Sequence, residues 1–147
     1  MIDTITDPVR TERKSWLENT TPTMRRLGLL FSGIAVLFLT MDGTMKVLAL
    51  DVVTEATGKL GFPGTADFAR ELGLVLLICT ALYVYPRTAM LGAILLTGYL
   101  GGAVAAHVRL GDPLFTHKLF GTYVGLFVWG GIFLRDARVR ALFWFSR

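Results

Sequence analysis

Asp42 and Lys46 stand four residues apart, so on a helix they share one face and can pair. Glu71 follows Arg70, and His107 and Arg109 come just before Asp112, His117 and Lys118. A carboxylate beside an imidazole can pass protons near neutral pH. Two imidazoles, His107 and His117, can also ligate a haem iron or another metal, although no ligand spacing such as HxxEH is present. Lysine and arginine can hold an anion or a polarised oxygen. Tyr99 lies two helical turns before His107 and adds a phenol. A purely structural reading makes Lys46 a side chain that snorkels to an interface, Glu71 a favourable charge at a helix start, and His117 an interfacial residue. Asp42 is too short to snorkel, so within an apolar segment it must face protein or water.

Other catalytic patterns are missing. There is no P-loop, no GxGxxG ahead of a helix and no GxSxG. One cysteine, Cys79, excludes an intramolecular disulfide, a CxxC redox pair and an all-cysteine metal site within the chain. Placed mid-run, it reads as a small packing residue.

The elements that must position these residues are apolar. Of 147 residues 53% are apolar and 18% charged, below the roughly 25% of an average soluble domain. The net charge is +4, from 15 basic and 11 acidic residues. The basic residues gather at the chain ends and between apolar runs. They do not form the aromatic-interleaved stripe of a nucleic-acid binder, so no nucleic-acid partner is expected.

Four apolar runs are expected to span a membrane, at about 27–50, 66–85, 88–107 and 118–134. The fold class is therefore all-α, an integral membrane four-helix bundle over 24–142. A polar tail, 1–23, precedes it and lacks the apolar core of a signal peptide. Val9, Arg13, Trp16 and Leu17 give that tail a faint surface-helix pattern. A basic-aromatic tail, 135–147, follows and suits an interfacial anchor facing anionic lipid. The clean core of the second run, 72–85, is short. It spans only if its Glu71 end lies inside the protein or at the interface. The link Pro86-Arg87-Thr88 makes the second and third spans antiparallel neighbours.

Lysines and arginines set the orientation. Ten fall in the two chain ends and the link at Arg87, against five on the other side (Lys46, Lys59, Arg70, Arg109 and Lys118). Both termini are expected in the cytoplasm, and the expected setting is a bacterial inner membrane. Tyr83 and Tyr85 then belong to a cytoplasmic aromatic belt. The first outer loop, 51–64, places Val52, Val53, Ala56 and Leu60 on one face of a short interfacial helix that ends at Gly61 and Pro63-Gly64. With this topology every ionisable residue of interest falls at one outer level.

Small residues make two stripes. Gly98, Gly102 and Ala106 recur every fourth residue in the third run, and Gly121 and Gly125 do so in the fourth. Lipid tails give helices no hydrophobic drive to associate, so smooth faces mark close contact. The first expectation is contact between the third and fourth spans. A homodimer seam or a groove held open for a ligand are the alternatives.

Some of these residues resemble a known family. Gly43-Thr44-Met45-Lys46, Glu71 and the run from Leu95 through Gly98-Tyr99-Leu100-Gly101-Gly102 to His107 resemble the DoxX-like membrane proteins. Gly111-Asp112-Pro113-Leu114-Phe115 and Trp129-Gly130-Gly131 fit the same group. The resemblance covers about Arg26 to Leu142 and implies a four-helix bundle. The group includes the small membrane subunit of a thiosulfate:quinone oxidoreductase, and remote relatives act as membrane assembly factors. The single cysteine sets the chain apart from disulfide-forming quinone reductases, which need cysteine pairs.

Two functions follow as expectations. The first is an accessory subunit or small oxidoreductase near the quinone pool. Asp42, Lys46, Glu71, His107 and Arg109 then hold an anionic sulfur species or a quinone head, with Asp112 and Tyr99 as further contacts. Lys46 and Arg109 supply positive charge, while Glu71 and His107 relay protons. Quinone and haem are the cofactor candidates, and a redox subunit or a second copy of the chain the partners. The alternative is a non-enzymatic assembly or binding module whose charged end docks a partner protein or lipid, with the polar cluster as a structural ion network and the glycine stripes as the contact surface.

Overall fold

A computed structural model describes residues 20–111 and 119–143. Among these residues there are six helices and no strand: α1 (Pro22–Val47), α2 (Asp51–Lys59), α3 (Ala66–Val84), α4 (Ala89–Leu110), α5 (Phe120–Arg135) and α6 (Ala137–Phe143). The expected surface helix near Trp16 lies outside the described residues.

Helices occupy the four expected apolar runs, with shifted ends. The first starts inside the expected polar tail, because Thr21 caps it and Pro22 takes its first turn. The Thr21 hydroxyl accepts from Met24 N at 3.2 Å, satisfying one of the amides left without partners at a helix start. It stops at Val47, short of the expected end. Ala49 there adopts φ +49°, a left-handed turn that redirects the chain into α2. Thr65 caps α3 in the same way, accepting from Phe68 N at 3.4 Å. Gly111, at φ +76°, closes α4.

By length and composition, α1 and α4 are candidate membrane spans. The 19-residue α3 carries Asp67, Arg70 and Glu71 in its first two turns, and α5 has 16 residues, so neither meets the same measure. Each long helix packs along two others: α1 along α3 and α5, and α4 along the same two. Leu39, Leu76, Tyr83, Leu96, Val128 and Ile132 are sealed between them. The outward faces are apolar too. Leu37, Ile78, Leu91 and Leu126, one from each helix, are all exposed. A helix facing water would carry charge there, whereas a bilayer covers such a surface.

Tyr83 corrects the expectation of an aromatic belt, because it is fully buried. Its hydroxyl donates to Val128 O at 2.8 Å and accepts from Ser32 Oγ at 2.8 Å. The Arg135 guanidinium lies 5.0 Å from its ring centre and donates to its carbonyl at 3.2 Å. One phenol thus ties α3 to α1 and α5. Tyr85 alone of the pair is exposed.

Arg140 departs from the expected lipid anchor in a similar way. It is 1% exposed and donates to the carbonyls of Phe133 and Leu134 at 2.9 and 3.1 Å, and to Thr20 Oγ1 at 2.8 Å. It caps the end of α5 and pins the start of α1 against it. Arg140→Met should lower stability by about 2 kcal/mol, because charge-assisted bonds to helix-end carbonyls are lost. Exposed Arg138 is the control, and Arg138→Met should change the melting temperature in mild detergent very little. Equal shifts for both would refute the capping role.

Candidate functional site

The polar end of the helices encloses a cavity of about 450 Å³. The last turns of α1 bring Phe38, Asp42 and Lys46 to its wall. Tyr99 and His107 come from α4, and Phe120 from the start of α5. Thr57 and Leu60 reach it from α2 and the turn after it, so α2 acts as a roof. Phe62 and Phe68, stacked with ring centres 5.6 Å apart, close one side. The expected interfacial helix exists, but it turns buried Thr57 to the bundle and leaves Val52 and Ala56 exposed.

Asp42 and Lys46 form the expected ion pair and hydrogen bond. Their side chains are 32% and 18% exposed, so the pair is partly withdrawn from solvent. The couple leaves the Lys46 ammonium with further N–H groups and cancels its charge. Tyr99 and His107, both partly buried, complete the polar wall.

Two expected members of the cluster stand elsewhere. Glu71 is exposed on α3 and does not line the cavity, whereas Phe68 and Leu72 do. It lies at the right depth but on the wrong side of its helix, and the Glu71–His107 relay is not assembled. Arg109 is exposed and also off the wall. Its Nη2 donates to Leu60 O at 2.8 Å, tying α4 to the roof. Gly61, at φ +78°, sits against that guanidinium, and a Cβ there would strike Arg109 Nη2. Asp112 and His117 lie outside the described residues. Among the described residues no three histidine, cysteine, aspartate or glutamate side chains converge on a metal position.

The first glycine stripe does not make the expected contact. Nothing lies within 4 Å of a Cβ built on Gly98 or Gly102, and both line the cavity together with Ala106. The second stripe does meet α4, but through other residues. A Cβ on Gly121 would fall 3.1 Å from Leu100 O and 2.9 Å from Val104 Cγ2, while one on Gly125 reaches only Leu100 Cδ1 at 4.0 Å. Closer helix approaches fall on glycines outside both stripes. A Cβ on Gly73 would fall 2.8 Å from Gly43 O, and one on Gly92 would strike the Tyr83 backbone. Cys79 is buried in the core, as a packing residue would be.

Four phenylalanine rings, an internally neutralised ion pair, a phenol and an imidazole therefore surround one largely apolar space. It suits a flat molecule with hydrogen-bonding oxygens. A more open hollow between α1 and α3, lined by Val36, Leu77, Val84 and Tyr85, carries no charged side chain and is a surface feature.

No curated protein and no solved structure matches the chain. The sequence model of the DoxX-like family matches residues 30–131, a stretch that holds Asp42, Lys46, Tyr99 and His107 and most of its length; the chain belongs to the DoxX-like family.

Proposed function

We propose that the chain is a four-helix membrane protein whose roofed cavity binds the head of a quinone, as an accessory subunit or small oxidoreductase in quinone- or sulfur-linked redox chemistry. In this reading α3 and α5 cross the bilayer with α1 and α4. Their exposed apolar faces support that. Both termini are cytoplasmic, as the lysine and arginine distribution indicates, and the cavity faces the extracytoplasmic side of a bacterial inner membrane. As an accessory subunit the chain presents the bound quinone to a partner redox subunit.

One observation carries the choice of ligand: neither candidate cation is available to an anion. Lys46 is neutralised by Asp42, and Arg109 is bonded to Leu60 O away from the wall. An anionic sulfur species would have to lose its hydration without gaining a net positive partner, which is costly in an apolar cavity. A quinone head carries no net charge. Its carbonyl oxygens accept from the remaining Lys46 N–H groups and from Tyr99, and its ring packs among Phe38, Phe62, Phe68 and Phe120.

The test is calorimetric titration of the purified protein in lipid nanodiscs with menadione, a quinone head without a tail, and separately with thiosulfate. Saturable menadione binding and no thiosulfate binding are expected. Saturable thiosulfate binding with none for menadione would overturn the reading. Native mass spectrometry of protein extracted in mild detergent would show whether a quinone already accompanies it.

A further inference from the structure

The cavity does not stop at the helix interior. Gly98 and Gly102 line it, yet both are exposed, and they follow Leu91 and Leu95 at helical spacing. Leu91 and Leu95 are 50% and 41% exposed, so this is the face of α4 that looks outward to the bilayer. The wall of the cavity therefore reaches the outside of α4. Phe68 and Leu72 of α3 form the opposite wall.

The seams around the cavity differ. A glycine pair, Gly43 and Gly73, brings the backbones of α1 and α3 together at this level. Gly121 packs on Leu100 O and closes α4 against α5. Phe38 and Phe120 meet edge to face, with ring centres 5.0 Å apart, between α1 and α5. Above, α2 is held by the Arg109 bond to Leu60 O and by the Phe62–Phe68 stack. The fourth seam is different. Tightly joined at Gly92 and Tyr83 near their short link, α3 and α4 leave Gly98 and Gly102 without a neighbour nearer the roof.

Resting on the quinone reading above, we infer that the cavity opens sideways into the bilayer between α3 and α4, and that its ligand keeps a long hydrocarbon tail in the lipid while the head sits beside Lys46. The tail leaves across Gly98 and Gly102, where the missing side chains keep the passage clear. A long isoprenoid chain does not fit inside the cavity with its own head, so a tailed ligand needs this exit. The ligand class is thus a membrane-dissolved, tailed quinone and not a water-soluble one.

Menadione and phylloquinone carry the same ring head, and only the second has a tail, so the pair separates the two claims. Binding is measured in nanodiscs with ligand expressed as mole fraction in lipid. The wild-type chain should bind both to within about threefold, because lipid and protein offer the tail similar surroundings. Gly102→Leu should still bind menadione but lose phylloquinone by about tenfold or more, because the new side chain stands where the tail must run. The variant should fold, since nothing lies within 4 Å of the Gly102 Cβ position, and Gly98→Leu provides a second block of the same kind. Wild-type binding of menadione with exclusion of phylloquinone would overturn the side opening and leave the quinone reading intact. Unchanged phylloquinone binding in both variants would overturn it as well. So would loss of both ligands by a variant that melts like the wild type, since that places Gly102 against the head. Failure of the wild type to bind either would instead remove the quinone reading, and this inference with it.

Discussion

Replacing Gly92 by leucine is expected to cost the fold about 3 kcal/mol or more, the upper end for overpacking a closed contact. A Cβ at this position would strike Tyr83 N and lie 2.5 Å from Tyr83 Cα and 2.8 Å from the Leu82 carbonyl carbon. These are backbone atoms of α3, and no rotamer change moves them aside. The Gly43 position is more forgiving, because its nearest neighbours are side-chain atoms of Leu77, Cγ and Cδ2, and not backbone. A side chain at 92 must therefore lift α4 from α3. That movement pulls on Tyr83, whose hydroxyl holds Ser32 of α1 and Val128 O of α5. The damage then spreads beyond one seam, because a buried phenol left without partners adds its own penalty. Gly98→Leu is the control. It meets nothing within 4 Å and exchanges glycine for a better helix former, so it should be neutral or stabilising by up to about 1 kcal/mol. Thermal unfolding in mild detergent, read by circular dichroism, compares the two. Equal losses would mean that α3 and α4 do not meet at Gly92.

That contrast shows what the sequence could and could not reveal. A small residue every fourth position announces a smooth face, and Gly98, Gly102 and Ala106 make one. Smoothness does not say what lies against it, and here it is open space. Gly92 and Gly73 belong to no periodic pattern, so the closest approaches carried no signal. Depth was legible for the same reason that azimuth was not. The apolar runs fix how far along its helix each charge lies, and Asp42, Lys46 and His107 do line one cavity. Which way a side chain points depends on neighbours distant in sequence. Leu72 faces the cavity and Glu71, one residue away, faces out. The Asp42–Lys46 pair was readable because an i, i+4 contact is local. Tyr83 was misread because its bonds to Ser32 and Val128 cross long stretches of chain. Arg140 was misread because a basic residue among aromatics suggests lipid, whereas the nearest unsatisfied acceptors are the last carbonyls of α5.

The Asp42–Lys46 couple should govern binding as one unit. Removing Asp42 leaves the Lys46 ammonium without a partner in a mainly apolar space, and its flexible stem can carry the charge out to water. The head of the ligand then loses a charged donor even though Lys46 is still present. Asp42→Ala should therefore weaken menadione binding by about 10- to 100-fold, the worth of a hydrogen bond to a charged group. Lys46→Ala removes the same donor directly and should cost about as much. The double variant should be no weaker than either single one, because each substitution abolishes the same feature, and that non-additivity identifies a coupled pair. Anion binding should respond with the opposite sign. Asp42→Ala removes the carboxylate that repels an anion, so any weak affinity for thiosulfate should rise in this variant and fall again when Lys46 is removed as well. If the site were built for an anion, the wild type would already bind thiosulfate, and Lys46→Ala would abolish that binding. Titrating the four proteins with both probes in nanodiscs separates the cases. Full additivity of the two substitutions on menadione binding would show that Asp42 and Lys46 act apart, and that the pair seen on the cavity wall does not hold the head.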